Sequence, residues 1–107
     1  MVREKGKSMS ETGTLPEWLF VVVEKEEGQE RLLGQQDDAL GVSFIPAFTD
    51  QESGLIGLGA LRKVAGRGYE VQAMRSREVA QAARAHQYEL WVLDRDGRVL
   101  KRLSPES

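Results

Sequence analysis

Few residues in this 107-residue chain could do chemistry, and their spacing narrows the choice further. There is one histidine, His86, and no cysteine, so disulfides, thiolate metal sites and a cysteine nucleophile are excluded. Zinc would need carboxylates for most of its ligands, which is unusual for that metal. His86 falls at the end of an expected helix, where a lone histidine more often caps or packs than catalyses. Asp37-Asp38 and Asp94-Arg95-Asp96-Gly97 bring carboxylates together. The second set has the opening spacing of a calcium loop but lacks the distal glutamate, and a type I′ hairpin turn is the expectation there. No Ser/His/Asp set has a local signature. Gly54, Gly57 and Gly59 match neither of the glycine patterns that cradle phosphates. No metal, no cofactor and no enzymatic activity are expected.

Three stretches remain as candidate surfaces. Arg75-Ser76-Arg77 opens a helix with two guanidinium groups beside its first turn, a composition suited to an oxyanion. Arg95, Arg98, Lys101 and Arg102 cluster on the C-terminal hairpin, near Trp91, whose ring could stack a base. The overall pI of about 5.5 and the lack of a recognised motif weigh against nucleic acid and place Trp91 in the core. The third stretch is "VSFIPAFTDQESGLIG", Val42 to Gly57, where a strand runs into a helix. Thr49 and Glu52 have the spacing of a capping box, and Asp50 suits the positive end of the helix dipole. Negative charge already stands where a phosphate would sit, so this junction reads as a cap and not as an anion site.

These residues must be held by a small set of elements. "WLFVVVEKE" (Trp18–Glu26) is apolar on both faces and β-branched, as a central strand is. A turn around Gly28 leads to a short returning strand in "RLLGQQ", and "DDALG" turns again. Val42–Phe48 is a strand with Pro46 inside it, which predicts an edge, a bulge or a strand end. Its helix begins near Asp50. Gly54, Gly57 and Gly59 either delay that helix or let it lie close on a sheet. Tyr69–Met74 alternates as a strand. Ser76–Gln87 is a helix with Ser76 as N-cap and a stripe of Val79, Ala82, Ala83 and His86. Tyr88–Asp94 and Arg98–Leu103 form a hairpin. The order predicts an α+β fold, a single mixed β-sheet with two helices packed on one face.

"FIPAFTDQESG" resembles the N-terminal domain of the enhanced-serine-sensitivity (SseB-type) proteins, in which a strand with a similarly placed proline leads through Phe-Thr and an acidic turn into a helix. The sharp part of the likeness is Pro46 to Glu52. "SREVAQAARAHQYELWVLD" is loosely similar to that family's last helix and strand, and Asp94 to Gly97 departs from its usual Asn-Pro-Gly type turn. The resemblance implies the fold. It implies no defined activity.

A chain of this length makes one domain, here residues 16–104 after a mobile tail at 1–15. The longest apolar run, Trp18 to Val23, is far short of the roughly 20 residues that span a bilayer. A cytoplasmic, bacterial setting is the expectation. The net charge of −2 hides nine acids against two bases over 17–52, and ten bases against five acids over 62–102. Either the halves interleave in space, or they mark a partner surface. The composition and the expected edge predict a protein-interaction or regulatory module with a protein partner or a weak homodimer. A binder of an anionic ligand or nucleic acid through the basic C-terminal half is the alternative.

Overall fold

The computed structural model describes residues 15–105. The tail expected at 1–15 lies outside them except for Leu15, which packs against the core. The elements are β1 (Trp18–Glu26), β2 (Gln29–Leu32), β3 (Gln35–Asp37), β4 (Val42–Phe48), α1 (Gln51–Leu58), β5 (Gly68–Arg75), α2 (Ser76–Ala85), β6 (Glu89–Leu93) and β7 (Val99–Leu103). They form one seven-stranded mixed sheet with two helices, the α+β class expected.

Across the sheet the strands run β5, β1, β4, β6, β7. β1 and β4 pair only at Phe20↔Phe48 and Val21↔Ala47, then splay. The fork is filled by β2, which continues the β1 ladder from Val23, and β3, which continues the β4 ladder to Val42. Hairpin twist is supplied by a type I′ turn at Glu27 and Gly28, with φ of 49° and 81°. The β6–β7 turn is not of that type. Of its central residues only Gly97 has positive φ, and its N–H donates to the Asp94 carbonyl at 3.0 Å, a type I turn with a glycine bulge.

β4 is an interior strand, between β1 and β3 on one side and β6 on the other. The edge expected for Val42, Phe44 and Pro46 is therefore corrected. On the side facing the fork, neither Ile45 nor Pro46 has a ladder partner, and a residue without an N–H is tolerated there.

The helices sit on opposite faces, which corrects their expected placement on one. β4, β5 and β6 all run parallel to one another, with β1 antiparallel between β4 and β5. The β4–α1–β5 crossover therefore runs one way over β1, and β5–α2–β6 runs back. Crossovers between parallel strands keep one hand, so two that run in opposite directions must pass over opposite faces. α2 lays Val79 and Ala83 on Leu19, Val21, Ile45, Ala47, Leu90 and Val92. The other face carries Phe44, Phe48, Trp91 and Leu93. Successive side chains of β1 thus enter two cores, which explains its unbroken apolar run.

Candidate functional site

Asp50, not Thr49, caps α1. Its backbone is extended, and its carboxylate accepts from Ser53 N at 2.8 Å and Ser53 Oγ at 3.1 Å. The Ser53 backbone donor holds the Asp50 carboxyl below its usual range. Glu52 makes no reciprocal bond and instead faces Arg95 at 3.6 Å. The cap carboxylate occupies the first turn, as the sequence led us to expect of this junction, one residue later than the capping-box spacing placed it.

α1 buries its small residues and exposes its large ones. Ser53, Gly54 and Gly57 face the sheet, while Leu55 is 55% and Ile56 47% exposed. A Cβ on Gly54 would stand 3.0 Å from Val71 Cγ1, and one on Gly57 would stand 2.4 Å from Phe48 Cε2. The glycines bring the helix axis close to the sheet, and the close approach turns its aliphatic residues away from it. Glu52 points toward the β6–β7 turn and Gly54 toward β5. Helical spacing of about 100° per residue then sets Leu55 and Leu58 on the β5 side and Ile56 on the β4 side.

β5 lies beside the exposed helix as an outer strand, paired among the described residues with β1 alone. It contains no proline or lysine and no bulge over its eight-residue ladder. The other outer strand, β7, is blunted by Lys101, Arg102 and an irregular register at Val92/Leu93.

Arg75, Ser76 and Arg77 are brought together, but two of the three are engaged. The Arg75 guanidinium pairs with Glu17 and lies 4.7 Å from the Trp18 ring centre. Ser76 is not the N-cap. Arg75 holds that place without a side-chain bond, while Ser76 donates its N–H to the Glu17 carbonyl at 2.8 Å and its hydroxyl to the Pro16 carbonyl. Arg77 has no acidic partner among the described residues, and neither has Arg84. Both line a hollow of about 370 Å³ with Arg75 and Leu15.

The hairpin cations do not form one free surface. Lys101, opposite Val92, points to the α2 face, while Arg102, opposite Trp91, and Arg95, turned to Glu52, lie on the α1 face and are paired with Glu89 and Glu52. Trp91 is only 5% exposed. Its ring stacks on Phe44 at 3.9 Å between centres, the Arg102 guanidinium lies 5.1 Å from the ring centre, and its Nε1 donates to Glu89 at 2.7 Å. No ring face is left for a base. Burial pushes the Glu89 carboxyl up, but the Trp91 and Arg102 donors outweigh it and hold it below the usual range. His86 is the C-cap of α2, before Gln87 at φ 63° and a Tyr88 N–H bonded to the Ala83 carbonyl at 2.8 Å. Among the described residues no three metal-ligating side chains converge.

Sequence reasoning missed Glu24. It is 7% exposed and accepts from Tyr69 Oη at 2.9 Å, Arg67 Nη1 at 3.1 Å and Arg31 Nε at 3.1 Å. Tyr69 and Arg31 are its direct cross-strand partners on β5 and β2. Tyr69 Oη also accepts the Val64 N–H at 2.7 Å, so the carboxylate ties the 59–67 loop to the sheet. Its signal was a charge at the third place of the alternating set Phe20, Val22, Glu24. A groove of about 800 Å³ runs beside it, and its cations are committed elsewhere. Arg31 is bound to Glu24, Arg62 faces Asp38 at 3.7 Å, and Lys63 donates to the carbonyls of Leu58 and Leu61. Glu24–Arg67, Glu17–Arg75, Asp38–Arg62 and Glu52–Arg95 all join the acidic half to the basic half, so the charges interleave.

Fold and geometry together define a small α+β protein with a sheet edge that no other described strand covers and an apolar helix face beside it. No family model matches the chain, and no curated protein or solved structure matches it. None of the described helices is long and apolar enough to cross a membrane.

Proposed function

We propose that this is a non-enzymatic protein-interaction module whose partner surface is the outer edge of β5 together with the outer side of α1. The observation that carries the reading is the inversion of α1, which buries Gly54 and Gly57 and turns Leu55 and Ile56 to water. Large aliphatic residues on a helix normally face the core, and an apolar face beside an open strand edge is a contact surface. A cytoplasmic, bacterial setting and membership of the SseB-type group, the latter resting on Pro46 to Glu52, belong to the same proposal. A photo-crosslinking residue in place of Leu55 is expected to join the protein to another chain in cells, while the same residue in place of exposed Glu78 is not. Equal yields at the two positions would sink the reading. Replacing Leu55 and Ile56 with Gln should abolish the crosslinked partner while changing stability by no more than about 0.5 kcal/mol, because exposed side chains contribute little to folding.

A second reading, an anionic ligand at the α2 hollow, is favoured by Arg77 and Arg84, two cations beside one hollow with no acidic partner among the described residues. Sulfate should then raise the melting midpoint in a concentration-dependent way, since a ligand of the native state stabilises by mass action. Arg77→Ala with Arg84→Ala should remove the shift, and a shift that survives the double substitution rules out this hollow. The hairpin set Arg95, Arg98, Lys101 and Arg102 has no comparable geometry for nucleic acid.

A further inference from the structure

We propose that the partner of this surface is a second copy of the chain, paired through β5 in an antiparallel two-fold with Leu55 and Leu58 of each α1 meeting over the seam. The inference rests on the interaction reading above and names its partner.

The backbone phase of β5 permits it. Ser76 N donates to Glu17 O, which makes that opposed pair hydrogen-bonded and fixes the alternation along the ladder. Gly68, Glu70, Gln72 and Met74 then turn their backbone groups toward β1, and those of Tyr69, Val71, Ala73 and Arg75 point outward. A two-fold axis normal to the sheet keeps like faces together, so only outward residues can exchange hydrogen bonds. Centring the axis on Gln72 pairs Tyr69 with Arg75 of the second copy and Val71 with its Ala73. Gln72 meets itself, and Glu70 lies opposite Met74. No like charges are opposed. Sliding the register by two residues in one direction sets Arg67 against Arg75, a like-charge pair that disfavours a ladder, and sliding it in the other shortens the overlap.

The side chains agree with the backbone. β5 has no proline, lysine or bulge, and its two charged residues, Glu70 and Arg75, are paired with Lys25 and Glu17, whereas β7 carries Lys101, Arg102 and an irregular register. α1 packs on β5 through Gly54 over Val71, and its Leu55 and Leu58 lean toward that edge. In the two-fold, both copies of α1 lie on the same face of a continuous sheet, flanking the seam. One contact then covers both the open edge and the inverted helix.

Gln72→Cys tests the register. Opposed residues of a non-hydrogen-bonded antiparallel pair have Cα atoms about 4.5 Å apart, within the disulfide range of about 4.4–6.8 Å. The chain has no other thiol. Under mild oxidation Gln72→Cys is expected to form a disulfide dimer at concentrations where Leu100→Cys, on the β7 edge, remains monomeric. By sedimentation the unmodified protein should pass from monomer to dimer between micromolar and near-millimolar concentration. Gln72→Lys and Gln72→Glu should each be monomeric, and their mixture should restore the dimer. A monomer throughout the series, or equal crosslinking of the two cysteine variants, overturns the proposal. If the protein is monomeric and the photo-crosslinker at position 55 still captures a different chain, the interaction reading stands and the second copy is excluded. If neither happens, both fall.

Discussion

Gly57→Ala is expected to lower stability by about 2 kcal/mol, although alanine is the better helix former by roughly 1 kcal/mol. The new Cβ would stand 2.4 Å from Phe48 Cε2 and 2.6 Å from Cζ, and Phe48 is fully buried at 0% exposure. Its ring is the floor on which α1 rests, so it has no open direction in which to move. Overpacking of this kind costs about 1–3 kcal/mol or more, and the contact falls at the severe end. Gly59→Ala is the control. Its Cβ would meet only the Ile56 carbonyl at 3.4 Å, and its backbone is already helical, so that change should be neutral or mildly stabilising. The reading is checked by chemical denaturation midpoints for both variants. Adding Phe48→Leu should make Gly57→Ala less harmful, and strict additivity of the two would mean the ring and the glycine do not touch. A gain of stability in Gly57→Ala would remove the close approach on which the outward turn of Leu55 and Ile56 depends.

That close approach was half legible in the sequence. Three glycines at short spacing could mean a late helix or a tight one, and composition alone does not choose. The choice is made by Phe48 and Val71, which are distant in the chain from each other and arrive beneath α1 only once β4 and β5 flank β1. The placement of the helices was illegible for the same reason. Each crossover keeps its hand, but its face follows from the direction in which it travels, and direction depends on strand order. Pro46 misled in a related way. A proline within a strand argues for an edge when every interior position needs a ladder partner, and the fork between β1 and β4 supplies an interior position that does not. Local features fared better, since the helix over Ser76–Ala85 and the strands at Trp18–Glu26 and Val42–Phe48 depend on period and on neighbours close in sequence.

The candidate surfaces divide along the same line. Adjacent residues such as Arg75, Ser76 and Arg77 do stay together, but what occupies their donors is set by Pro16 and Glu17, far upstream. Lys101 and Arg102 are neighbours whose strand sends them to opposite faces, a consequence of period-two geometry that a count of basic residues ignores. The open edge of β5 could not be read at all, because its alternation is that of any half-buried strand. Only the finished sheet shows that nothing follows it on the outer side among the described residues.

Glu24→Gln is expected to lower stability by about 2 kcal/mol at neutral pH, with the loss vanishing in acid. The neutral amide keeps an acceptor for Tyr69 but loses its charge-assisted bonds to Arg67 and Arg31, and hydrogen bonds to ionised groups contribute about 1.5–3 kcal/mol. The Tyr69 hydroxyl is the main reason the Glu24 carboxyl lies below its ordinary value of 4.5. Burial opposes the shift, and the two arginines add to it. A carboxyl depressed in the folded state stabilises the fold above its unfolded pKa, and that contribution disappears as pH falls through the depressed folded value. The difference between the parent protein and Glu24→Gln should therefore be constant above about pH 5 and shrink steadily below pH 4, because other carboxylates titrate in both proteins and cancel. Tyr69→Phe removes the largest cause of the depression and should move that loss to higher pH. Denaturation midpoints across the acid range decide the matter. A difference that stays the same down to the most acidic point would mean that the Glu24 carboxyl titrates alike in the folded and unfolded chain and that its charge contributes nothing to the fold, and the 59–67 loop would then be anchored by Gln35, which holds the Arg62 backbone, and not by this carboxylate.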